Sequence, residues 1–173
     1  MIARNTYVQK NFAKTKEWTS VSLIADRLES ALNSKHVQKS LAAANQPGRS
    51  SRDVQDAFLE EAHAIGFADE SKGLFSSYTS ALRPDYFMKV GETGIIMEVE
   101  RGKTTINNMD LLDLWKCHIC ESANYLFLLV PNELRQNSRA SPRKEFVTVS
   151  KRLGTFFEED NYTNVRGLVI FGY

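Results

Sequence analysis

Apolar positions change their period several times along the chain, and each change marks a structural boundary. Helical spacing runs from Glu17 to Leu32 and from Lys35 to Ala44, and Asn45-Gln46-Pro47-Gly48 closes that stretch. A further helix is predicted from Ser51 to Ile65: Ser50 or Ser51 can cap it, Asp53 suits its positive start, and Gly66 stops it. At about 100° per residue, Val54, Phe58, Glu61 and Ile65 form one narrow stripe. Glu61 therefore stands inside an apolar face, where a carboxylate must be paired, bound to a cation or protonated, because an isolated buried charge is costly.

Beyond Gly66 the period shortens. A strand is expected over Leu74 to Ser80, then a hairpin, then a helix from Met109 to about Glu121 capped by Asn108, with Leu111, Leu112, Trp115, Ile119 and Ala123 on its apolar face. Tyr125 to Val130 is apolar throughout, as in a central strand buried on both sides. Ser141-Pro142 opens a last helix to about Glu158, with proline at its first position, and Val165 to Tyr173 reads as the closing strand. The 173 residues, 42% hydrophobic and 25% charged, suit one α/β domain, with residues 1–48 as a helical extension and 49–173 as the core. The element order is α-β-β-β-α-β-α-β.

The hairpin holds the candidate chemistry. Gly91-Glu92-Thr93-Gly94 is the turn signal between two apolar runs, and a connection symmetric about it sets Val90 opposite Ile95. Phe87 then faces Glu98 and Asp85 faces Glu100. Alternation puts Asp85, Phe87, Lys89, Ile96, Glu98 and Glu100 on one face and Tyr86, Met88, Ile95, Met97, Val99 and Arg101 on the other. Like charges directly opposed across two strands destabilise them, and a hard divalent cation turns the repulsion into a binding site. Without a cation, Glu98 and Glu100 would be the wet face of a half-exposed strand.

Pro84-Asp85, twelve residues, then Glu98-Val99-Glu100 resembles the motif of the PD-(D/E)XK nuclease superfamily, and the resemblance runs from about Arg83 to Pro131. The last motif position, usually lysine, is Glu100, as in the subgroup that contains the Bam and Bgl restriction enzymes. The resemblance implies a restriction endonuclease-like mixed sheet flanked by helices, DNA as the substrate, Mg²⁺ or Mn²⁺ as the cofactor and a homodimer cutting both strands. Asp85 and Glu98 would ligate the metal, and Glu61, on the helix before the sheet, would be an additional acidic ligand. Glu100 would orient or deprotonate the attacking water. Lys103 would supply positive charge near the phosphate, since Arg101 points to the opposite face. Lys116, at the edge of its helix's apolar stripe, would either contact phosphate or extend along the surface as an ordinary lysine.

The remaining features narrow the field. A formal net charge of +1 says little about nucleic acid, but basic residues cluster at Lys35–Lys39, Arg49–Arg52, Arg101–Lys103 and Arg135–Lys144, where loops could meet phosphates. Cys117-His118-Ile119-Cys120 holds the only two cysteines, with no second pair to complete a zinc site. No glycine-rich phosphate loop or dinucleotide fingerprint is present. The opening residues lack the apolar core of a signal peptide, and two free thiols fit a reducing compartment, so a cytoplasmic protein is expected. Two further readings remain: a nuclease-fold module without catalysis that binds or scaffolds, and a glycosidase using the paired acids.

Overall fold

The computed structural model describes residues 1–69, 82–102, 104–135 and 141–173. The first two helices form close to the predicted bounds, α1 over Lys16–Leu32 and α2 over Lys35–Ala44. The single helix expected from Ser51 to Ile65 is instead two, α3 (Ser51–Asp56) and α4 (Leu59–Ile65). Between them Phe58 leaves helical geometry at φ −140°, which sends its fully buried ring against Tyr86. Ser50 caps α3, and Asp53 completes a reciprocal capping box. Gly66, at φ +119°, ends α4 in the left-handed conformation that glycine adopts without strain.

One strand was hidden by its composition. β1 (Ala3–Val8) includes Arg4, Asn5 and Thr6, which give no apolar run, yet it pairs antiparallel along the edge of β6 (Gly167–Gly172). The first 48 residues thus supply a strand as well as helices. β2 (Ala68–Asp69), β3 (Tyr86–Val90), β4 (Thr93–Val99) and β5 (Tyr125–Val130) complete the sheet, whose order is β1-β6-β5-β4-β3-β2. The strand expected at Leu74 to Ser80 lies outside the described residues.

β4, β5 and β6 run parallel, so their connections must cross a face of the sheet, and α5 (Met109–Ile119) and α6 (Glu145–Gly154) do so. α6 starts later than Pro142, because Arg143 exchanges both backbone hydrogen bonds with Leu134 and is held extended. A 3₁₀ turn, Thr155–Phe157, follows it. Helices α1 to α4 cover one face, where Leu28, Phe58 and Ala62 pack with Ile95, Met97 and Phe127. Helices α5 and α6 cover the other, where Leu114, Cys117 and Leu153 pack with Ile96, Leu126, Leu128 and Ile170. Every residue of β5 and β6 is buried, as strands sealed on both faces require.

Candidate active site

The β3–β4 hairpin is tighter than its sequence suggested. The ladder pairs Val90 with Thr93, Met88 with Ile95 and Tyr86 with Met97, leaving Gly91-Glu92 as a two-residue turn. Gly91 sits at φ +58° at its first position, as a type II′ connection needs. Gly94 belongs to the strand, paired with Lys89, and must be glycine because a side chain there would run into the Phe87 ring and the Ser122 carbonyl. The shift is two residues, so the expected faces survive while the partners change. Phe87 faces Ile96, and the ladder ends at Tyr86 opposite Met97, so the same register extended by one residue sets Asp85 beside Glu98, not Glu100.

Within β4, Ile95, Met97 and Val99 turn toward α1–α4, and Ile96 turns toward α5 and α6. Alternation then carries Glu98 to the Ile96 face, where only 2% of it is exposed. Asp85 is held close by, its Oδ2 accepting a hydrogen bond from the Val99 amide at 2.7 Å. Glu100 lies just past the strand, yet its backbone is pinned: its amide donates to Leu129 O at 2.8 Å and its carbonyl accepts from the Tyr173 hydroxyl at 2.9 Å.

Helix α5 supplies two groups that complete the cluster. Its buried face is Asp110, Asp113, Leu114 and Cys117, whereas Leu112 and Trp115, expected inside, are exposed, Trp115 by 54%. The helix is rotated because its inner carboxylates have cationic partners. Arg152 grips Asp110 through both oxygens at 2.9 and 3.2 Å and also donates to the Asn108 side chain. Lys116 Nζ stands 3.1 Å from Asp113 Oδ1, one turn back on the same helix, and 3.0 Å from Glu98 Oε1 on the strand. Apolar periodicity does not mark Asp113, because Leu111, Leu112, Trp115 and Ile119 define a stripe that leaves it outside. The acidic row Asp110, Asp113 with Lys116 at i, i+3 spacing was the available signal.

Crowded carboxylates in a poorly solvated pocket hold their protons more tightly. Burial first, and then the charge of Asp113, push Glu98 well above the ordinary carboxylate range. Burial and the charges of Asp113 and Asp85 raise Glu100 to about 8. Burial raises Asp113 to about 6, with Lys116 opposing the rise. Burial alone would make Lys116 easier to deprotonate, but Glu98 and Asp113 outweigh it and hold the ammonium charged. Neither Asp113 oxygen nor Glu98 Oε1 accepts a well-directed hydrogen bond, so the Lys116 ammonium is what stands against them. A set of hard carboxylate oxygens with unsatisfied acceptor capacity fits a divalent cation of the Mg²⁺ or Mn²⁺ kind. Among the described residues, no three acidic, histidine or cysteine side chains surround one point in this conformation, with Glu98 engaged by Lys116.

The other candidates separate from this cluster. Glu61 is on α4, across the sheet, and its carboxylate pairs with His36 Nε2. It therefore does not join the acids, because the apolar stripe that contains it packs against the opposite face. Lys103 lies outside the described residues. Arg101 does turn away from Glu100, donating to the backbone carbonyls of Gln46 and Arg49. Cys117 and Cys120 are buried free thiols, and His118 Nδ1 accepts from the Asn164 amide. Several basic residues meet acids of the chain itself: Arg49 pairs with Asp53, Arg52 with Asp56 and Arg143 with Glu145. No described helix is long and apolar enough to cross a membrane.

No family model matches the chain, and no curated protein matches it by sequence. Its fold is similar to that of the restriction endonuclease BglII solved in complex with a DNA 16-mer, with a TM-score of 0.50. The superposition covers 99% of this chain and 77% of that one at 10% sequence identity. The six-stranded mixed sheet flanked by helices is a restriction endonuclease-like fold.

Proposed function

We propose that the chain is a divalent-metal-dependent endonuclease that hydrolyses DNA phosphodiester bonds, its sharpest form being a type II restriction enzyme. The observation that carries this reading is the gathering of Asp85, Glu98 and Glu100 at one end of β4, in a fold like that of an enzyme solved with DNA. Asp85 and Glu98 would hold Mg²⁺ or Mn²⁺. The bound ion would polarise the phosphate and make a water easier to ionise. Glu100, pushed up to about 8 by burial and its acidic neighbours, would orient that water and, once ionised beside the bound cation, take its proton. Lys103, three residues on in sequence, would offset charge on the phosphate. A second copy of the chain would cut the other strand of the duplex.

One observation favours the alternative, an inactive nuclease-fold module that binds or scaffolds: Lys116 stands 3.0 Å from Glu98 and can answer its charge from within the chain. Supercoiled plasmid incubated with Mg²⁺, Mn²⁺ or Ca²⁺ separates the two. The enzyme reading expects nicked or linear DNA with Mg²⁺ or Mn²⁺, and a loss of roughly 100-fold or more in rate for Asp85→Ala, at least about 2.7 kcal/mol of barrier. Intact plasmid in every metal, with folded protein, would leave the module.

A further inference from the structure

We infer that Lys116 is a built-in competitor of the divalent ion, a positioning residue that neutralises Glu98 in the metal-free protein and gives it up when the ion enters. The inference rests on the metal-dependent reading above and concerns how that site is kept ready. Its basis is a single ammonium that bridges carboxylates from two elements, Glu98 on β4 and Asp113 on α5, at 3.0 and 3.1 Å. Both acids are almost sealed from solvent, with 3% and 0% of their side chains exposed. Ionised carboxylates buried without a counter-charge would destabilise the fold strongly, so whenever these acids are charged the pocket needs a cation.

The two contacts are unequal in how they can break. Asp113 and Lys116 share a helix at i, i+3 and move together, whereas Glu98 is fixed to the sheet. An incoming ion therefore needs to release only the Glu98 contact, and Asp113 retains the ammonium beside the site. Lys116 can make that move because a quarter of its side chain is exposed and its four-carbon stem rotates freely. Asp85, one residue before β3 and hydrogen bonded to the Val99 amide, is placed to share the ion with Glu98 once Glu98 is released. A divalent ion and an ammonium drawing on one carboxylate also repel each other, so the ammonium weakens metal binding while it remains.

Removing the ammonium should therefore strengthen metal binding. Calorimetric titration of the whole chain with Mn²⁺, without DNA, should show Lys116→Met binding about tenfold tighter or more, about 1.4 kcal/mol. Lys116→Arg, which keeps the charge, should stay near the wild type. Metal-free Lys116→Met should melt lower than wild type and regain more on adding Mn²⁺. Lys116→Gln, which keeps hydrogen-bond donors, serves if the methionine variant does not fold. Crystals of the wild type soaked in Mn²⁺ should show Nζ withdrawn from Glu98. Unchanged or weaker Mn²⁺ affinity in the neutral variants, or an ion bound with the Lys116–Glu98 contact intact, overturns the inference. Exchange of this kind in a protein that never cuts DNA would support it and remove the nuclease reading; cleavage with no change in affinity would do the reverse.

Discussion

β4 and β5 are neighbours in one sheet, both buried along their whole length, and they differ in what they bury. β5 offers only Tyr125, Leu126, Phe127, Leu128, Leu129 and Val130, and its two faces are ordinary packing against helices on either side. β4, after Thr93 and Gly94, runs in the same way through Ile95, Ile96 and Met97, then places Glu98 among apolar groups on the α5 face, next to Leu128 in the register. One strand stabilises the fold by excluding water. The other gives up part of that stabilisation to hold a carboxylate whose charge must be answered by Lys116 or a metal. The contrast is why the proposed site is centred on β4, since groups buried against their own charge preference concentrate at functional sites.

The largest expected effect breaks the apolar member. Leu128→Ala should lower stability by roughly 2–5 kcal/mol in denaturant titration, because a sealed leucine leaves a cavity that the sheet cannot collapse. A loss below about 1 kcal/mol would mean that β5 is not at the packed centre of the sheet.

A smaller effect sharpens the polar member. Glu100, raised to about 8, and Asp113, raised to about 6, hold protons in the folded chain that the unfolded chain releases near pH 4. The stability they contribute is fully present below that pH and is lost as pH rises toward 8, by at most about 1.4 kcal/mol per pH unit for each group. Metal-free protein should therefore melt lower at pH 8 than at pH 6. Glu100→Gln should flatten that slope and be more stable than wild type at pH 8; an unchanged slope would remove Glu100 from the cluster.

The smallest effect is a control from the other face. Glu61→Gln removes a carboxylate paired with the mostly exposed His36, so it should cost no more than about 1 kcal/mol and leave Mn²⁺ affinity unaltered. A fall in affinity would return Glu61 to the site.

Most of the layout was legible wherever burial and apolar character coincide. α2 and β5 stand at their predicted bounds, because a stretch that is apolar with one clear period has one good way to be buried. That Asp85, Glu98 and Glu100 share a face could be foreseen, since alternation survives a two-residue change of register, but their opposed partners could not. Three features could not be read so directly. β1 is polar and becomes a strand only by pairing with β6; α5 turns its aspartates inward because Arg152 and Lys116 answer them; and Glu61 belongs to a stripe that faces the wrong side of the sheet.

Local periodicity thus determined which segments are helices and strands and which hairpin residues share a face, because side-chain direction follows from backbone geometry over a few residues. Which acids finally meet was decided by the tertiary structure alone. Charge pairing acts through space, and it took the helix crossing of α5 over β4 to bring Asp113 and Lys116 to Glu98, fifteen or more positions away along the chain.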